Sequence, residues 1–204
     1  MALDPPPSTA EAARHWYEVV QGDSLRQGDI LRDLPVFFLD DDQELPRDDD
    51  GDEVDVPGKF TRGDWIIVSP SCDLDIGRTN QAVLALCVPA TEENLKAQGQ
   101  KDRDQKLQVV RQGLDPSRLL LPEHADEPRF PLSFVSNLRL GTLPPSAIKR
   151  FVGDDQRLRL KHPFREVLGN WCGQWISRVG PENETLMPRF APVFPKHILA
   201  QNEG

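Results

Sequence analysis

Apolar positions along this chain fall in short runs separated by prolines, glycines and acids, and their spacing predicts a series of strands framed by a few helices. Residues 1–8, with three consecutive prolines, read as a tail. Ser8 or Thr9 then caps a short helix, with Glu11 in its first turn and Ala12, Trp16, Val19 and Val20 at helical spacing, and Gly22 ends it. Ile30 to Leu39 reads as a strand broken near Pro35. Lys59 to Ser69 holds the next strand, centred on Trp65-Ile66-Ile67-Val68, an unbroken apolar run of the kind buried on both faces. Gln81 to Val88 is a third, stopped by Pro89, and Ile66, Ile67, Val68, Leu84 and Leu86 are expected in the core.

Farther along, residues 91–113 change to a charged helical pattern, an insertion away from the sheet. Arg118 to Pro122 and Phe130 to Leu140 return to strand character, and Pro144-Pro145-Ser146 opens a short helix reaching Phe151. Pro163 starts a last helix, Phe164 to Val179, whose Phe164, Val167, Leu168, Trp171, Trp175 and Ile176 share one face. The pattern predicts an α+β fold: a small antiparallel β-barrel or sheet with added N-terminal, inserted and C-terminal helices. It forms one domain over residues 9–200, with residues 201–204 as a tail. A chain of 204 residues can bury such a core without staples.

Composition sharpens this picture in three ways. The 19 prolines, against a usual share of about 5%, favour short strands and loops over a helical bundle. Cys72, Cys87 and Cys172 are an odd, widely spaced set without zinc-ligand spacing, as in a reducing compartment. With no apolar leader pattern and no long apolar span, the expected location is the cytoplasm, away from any membrane. The charge is concentrated: residues 40–55 carry ten acids and one arginine, so this block alone holds the chain's formal net charge of −9. Such a block stays solvated and reads as a mobile loop, or as a polyanion mimic. An EF-hand is excluded, because aligning its glycine with Gly51 puts Pro46 and Pro57 at ligand positions.

Candidate chemistry is sparse. Ser71-Cys72-Asp73-Leu74-Asp75 is the most unusual cluster. Cys72 becomes a nucleophile only with a histidine to hold its thiolate, for which His124 and His162 are the available partners, and Asp73 and Asp75 raise a thiol pKa. The plainer reading is a buried thiol with Asp73 capping a turn. Asp73 and Asp75 could open a Mg²⁺ or Mn²⁺ site but lack a third ligand. The chain contains no Walker loop, GxGxxG, GxSxG or HExxH, and no cofactor is expected. Arg150, Arg157, Arg159, Lys161 and Arg165 form a positive stretch balanced by Asp154, Asp155 and Glu166, read as a solvated face.

Three segments in order, Gly28-Asp29-Ile30-Leu31, residues 65–71 (WIIVSPS) and residues 84–91 (LALCVPAT), with the later residues 134–148 (FVSNLRLGTLPPSAI), resemble the PemK/MazF toxins. These are small SH3-like barrels that cut single-stranded RNA without a metal. The likeness implies Arg62 as the phosphate-facing arginine and Thr91 as its partner, although Asp64 beside Arg62 lowers the positive potential an RNA cleft needs. Thr91 also reads as the N-cap of the helix that Glu92 and Glu93 begin. Residues 68–75 (VSPSCDLD), the Leu119-Leu120-Leu121-Pro122 element and residues 163–180 are similar to small bacterial proteins of mobile or conflict-related loci. The expectation is therefore a non-enzymatic binding or regulatory module contacting a protein encoded in the same locus, with Trp171 and Trp175 as its anchors. The alternative is an endoribonuclease acting through Arg62 and Thr91.

Overall fold

The computed structural model describes residues 15–39, 58–75, 79–91 and 117–177. The expected acidic loop and inserted helix lie outside them, as do both tails. Seven strands are β1 (Tyr17–Val20), β2 (Asp29–Leu39), β3 (Gly58–Ile67), β4 (Ala82–Pro89), β5 (Arg118–Leu121), β6 (Ser133–Leu143) and β7 (Arg157–Leu160). They form one antiparallel sheet in the order β1-β7-β2-β3-β4-β6-β5. Among the described residues three helices accompany it: α1 (Ser71–Asp75), α2 (Pro145–Val152) and α3 (Phe164–Ser177). The fold is α+β, as the pattern of apolar positions predicts.

Alternation divides the core between the two faces of the sheet. Ile30, Ile66, Val68, Ala85, Cys87 and Leu158 point to one face, where Leu168, Trp171 and Cys172 of α3 pack on them. Leu31, Leu34, Val36, Trp65, Ile67, Leu84 and Leu86 point to the other, covered by Ile148 and Val152 of α2. All five expected core residues, Ile66, Ile67, Val68, Leu84 and Leu86, are buried. A strand sealed on both faces has no polar side, which is why its apolar run shows no alternation. The sheet is strongly coiled. The Tyr17 hydroxyl of β1 donates to the Pro122 carbonyl just past β5 at 2.8 Å, and a Cβ on Gly141 of β6 would come within 2.4 Å of Val36 on the non-neighbouring β2.

Three expectations are corrected. Tyr17 to Val20 do not continue the first helix; they pair with Leu160 to Arg157 as β1, because a partner strand offers the ladder bonds that a frayed helix end lacks. Pro35 does not break β2. Among the described residues β3 is this strand's only ladder partner beyond Ile30, and such one-sided pairing tolerates a proline. The positive stretch is a solvated face only in part: Arg150 is exposed, but Arg157 and Arg159 are buried in β7, where both hold Asp29.

That buried triad organises one end of the sheet. Gly28 has φ of +87° at the third position of a turn closed by the Asp29 amide on the Arg26 carbonyl, a backbone state suited to glycine. Its missing Cβ also admits Leu160, whose Cβ would be 3.0 Å away. Asp29 then accepts from Arg157 Nε at 2.9 Å, from Arg159 Nε and Nη2, and from the Arg26 amide at 3.2 Å. The remaining guanidinium groups donate to the Gly22 and Ser24 carbonyls at 2.6–2.7 Å and hold the β1–β2 loop in place.

Candidate functional site

The serines of the Val68–Cys72 segment are structural. Ser69 Oγ accepts the Val83 amide at 2.8 Å and Ser71 Oγ accepts the Gln27 amide at 3.1 Å, so both tie loops to strand ends. Cys72 is not the buried thiol expected: it is exposed on the short helix α1, beyond the strand end, and its thiol donates to Asp73 Oδ1 at 3.6 Å. Its two potential histidine partners are engaged elsewhere. His124 Nδ1 lies 3.1 Å from both the Asp126 and Pro128 carbonyls; carbonyls only accept, so that nitrogen carries the proton and pins the turn before Phe130. His162 Nδ1 pairs with Glu166 at 3.1 Å. Asp73 and Asp75 gain no third ligand: among the described residues no cluster could hold a metal ion.

The more informative arrangement sits where β2 and β3 run out beyond the core. Between Leu31 and Leu34 the register slips by one residue, with Asp33 at φ of +50°. This β-bulge resets the alternation. Leu34, Val36 and Phe38 turn inward beside Trp65, whose indole N–H donates to the Leu34 carbonyl at 3.1 Å, and Phe37 turns outward. On β3 the residues of the outward face become progressively more exposed, from Ile66 through Asp64 and Arg62 to Phe60.

Four charges are paired at the bulge. Arg32 Nε meets Asp64 Oδ1 at 2.8 Å, and Arg62 Nη1 meets Asp33 Oδ2 at 2.9 Å and the Asp33 carbonyl at 3.2 Å. The Asp33 amide donates to Asp64 Oδ1 at 3.1 Å, which joins the two pairs into one network. Arg32 also donates to the Arg129 carbonyl and lies 5.9 Å from the centre of the Phe130 ring. Directly opposite Asp64 on β4 is the buried thiol of Cys87. Burial pushes its pKa well above the usual thiol range, Asp64 adds to the rise, and Arg32 partly offsets it. Burial likewise raises the Tyr17 hydroxyl, with a further contribution from Cys87. Neither group is poised to ionise as a nucleophile or base at neutral pH.

Next to this network two phenylalanines face solvent. Phe37 is 42% exposed and Phe60 69%, and they are cross-strand partners whose ring centres lie 5.4 Å apart, edge to face. Gly58 makes the arrangement possible, since a Cβ there would sit 2.3 Å from the tip of the Phe37 ring.

Arg62 is therefore neutralised by Asp33 and well exposed, at 62% of its side chain. Thr91 is exposed just past β4, its amide on the Pro89 carbonyl at 2.8 Å. The antiparallel β3–β4 pairing ends at Asp64 opposite Cys87, so Arg62, before Asp64, and Thr91, after Cys87, lie towards the same end of this strand pair. Trp171 is not a surface anchor: at 7% exposure it is core, packed against the sheet by α3. The Trp175 side chain lies outside the described residues.

The phenylalanine pair is not legible in the sequence, because Val36-Phe37-Phe38-Leu39 reads as a wholly apolar strand and only the bulge decides which ring points outward. Among the described residues no helix is long and apolar enough to cross a membrane. Comparison with protein-family models, with curated proteins and with solved structures finds no match.

Proposed function

We propose that this chain is a non-enzymatic binding or regulatory module of a bacterial conflict or defence system, acting in the cytoplasm by contacting a protein encoded in the same locus. The observation that carries the reading is the exposed Phe37–Phe60 pair beside an arginine already matched by its own aspartate. Exposed, adjoining aromatic rings offer apolar area at low entropic cost, as interface anchors do. The binding surface is assigned to these rings in place of Trp171.

The same reading takes the sheet as an SH3-like, PemK/MazF-like barrel carrying extra strands. Its support is the contact of Val36 with Gly141 across non-neighbouring strands and the Tyr17–Pro122 bond between the two sheet ends. An endoribonuclease acting through Arg62 and Thr91 is the second reading, favoured by their common end of the β3–β4 pair. Stabilising charge on a scissile phosphate requires an uncompensated cation, and Asp33 and Asp64 remove that excess.

The test has two parts. Purified wild-type protein is incubated with single-stranded RNA, and a tagged form is used to recover partners from the native host. We expect intact RNA and a specific partner recovered by the wild type but not by the Phe37→Ser/Phe60→Ser double variant. RNA cleavage lost in Arg62→Ala, or a partner complex indifferent to the two phenylalanines, overturns the reading.

A further inference from the structure

We infer that the outward face of the β2–β3 ribbon docks on the same face of a second copy of this chain, Phe37 of each lying on Phe60 of the other. This goes beyond the binding-module reading and does not depend on which host protein the rings contact. Phe37 and Phe60 stand directly across from each other, and so do Pro35 and Arg62 in the next outward-facing row. Phe37, Phe60 and Arg62 are exposed and Pro35 is half-buried. Past that row the face ends in Asp33, whose side chain is 72% exposed and bonded to Arg62.

Such a face is its own complement. A two-fold axis running along the ribbon, between two stacked copies, keeps the strand direction and exchanges left for right, so β2 of one copy lies over β3 of the other. Because the two rings are opposite in register, each Phe37 then meets a Phe60. The exposed cation is on β3 and the exposed acid on β2, so each Arg62 crosses to an Asp33 along the diagonal that the pair already spans within one chain. Ring meets ring, and acid meets arginine. With its strands reversed, the second copy would lay the charged row over the Leu39–Gly58 row and lose this match. The neighbouring Arg32–Asp64 pair is likewise neutral, which leaves the face no net charge to draw a polyanion or a polycation. Two facing ribbons form a contact at or below the low end of specific interfaces, about 1,200 Å² in total, so the dimer is weak, with a Kd on the order of micromolar or above. A host protein that takes the same rings displaces the second copy, and a contact this small permits the exchange.

Sedimentation equilibrium of the purified full chain tests this across the micromolar range. Physiological salt is used, where the Debye length of about 8 Å limits repulsion between two chains of formal charge −9. Wild type should pass from monomer to dimer as concentration rises. Phe37→Ser/Phe60→Ser should weaken the dimer about tenfold or more and keep the wild-type circular dichroism spectrum. Asp33→Lys sets two cations together across the interface and Arg62→Asp sets two acids together, so each alone should lose the dimer. Mixed in equal amounts these two variants should dimerise, since every cation then faces an acid of the other chain. Asp33 has φ of +50°, where lysine is strained, so melting curves accompany the charge variants, and the phenylalanine variant decides alone if one unfolds. A monomeric wild type, a dimer indifferent to the phenylalanines, or folded charge variants that do not pair on mixing would each overturn the inference. If wild type is monomeric but the phenylalanine variant still loses its host partner, the binding-module reading stands and the second copy falls. If the phenylalanine variant loses the dimer and keeps the host partner, the dimer stands and that reading loses its surface.

Discussion

Asp29 and Asp33 lie four residues apart on the same strand, each bonded to arginine, in opposite surroundings. Asp29 is completely buried, shared between two buried guanidiniums whose other N–H groups end on the Gly22 and Ser24 carbonyls. Asp33 sits on a solvent-facing bulge with one exposed partner, Arg62. Removing a carboxylate from water is costly, so the buried triad is held by a complete set of bonds and by its job of fixing a loop. The exposed pair gains little from its attraction in water, and its consequence is electrical: it leaves Arg62 without net charge to offer a ligand. The same chemical pairing is structural in one place and sets the character of a surface in the other.

The largest effect is expected from Asp29→Asn. It leaves Arg157 and Arg159 buried without their counter-ion, and breaking a buried pair costs about 3–5 kcal/mol. Urea unfolding should register most of this, together with earlier proteolysis of the Gly22–Gly28 loop. A loss below about 1 kcal/mol would place the triad in the same class as the surface pairs.

An intermediate effect belongs to Cys87, which faces Asp64 from inside the core. Its folded pKa is raised, so the native state keeps a proton that the unfolded chain releases above about pH 8.5. Stability is therefore full below that pH and falls as pH rises toward the folded value, by about 1.4 kcal/mol for each pH unit. Tyr17 adds the same sign of loss above about pH 10. Urea midpoints in wild type should decline from about pH 8.5, and Cys87→Val should remove the first part of that decline. A flat profile in wild type would contradict the burial of both groups.

Asp33→Asn should change stability least, by less than about 1 kcal/mol, because both members of its pair are exposed. Its measurable consequence is a more positive surface at Arg62. If the variant begins to bind oligouridylate while its melting curve is unchanged, neutralisation by Asp33 is what separates this surface from an RNA cleft.

Much of the fold can be read from residue order. The Trp65–Val68 run, the Leu84–Leu86 strand and the stripe of α3 are long or apolar enough for periodicity to declare them; the two strands are buried, and of the stripe Leu168 and Trp171 are buried while Phe164 and Val167 are partly so. Strand β7 is harder, since Arg157-Leu158-Arg159-Leu160 does alternate, but arginines on an inward face make sense only with Asp29, 128 residues before Arg157, across from them. The candidate surface was legible only in part: Arg62 and Thr91 stand out in the chain, whereas Asp33, Phe37 and Phe60 acquire meaning from a one-residue slip in pairing.

By itself the amino-acid order determined the central strands, the five core residues read from them and where the −9 charge block lies, because these depend on local apolar spacing and composition, whereas β1 and β7 needed their partners. Tertiary structure alone decided that Arg157 and Arg159 are sealed, that Arg62 is matched by Asp33, that Trp171 is interior and that two phenylalanines are left outside. The reason is physical. The worth of a charge or a ring depends on how much water and which partner it meets, and those are set by strand register and sheet coiling between residues far apart in the chain.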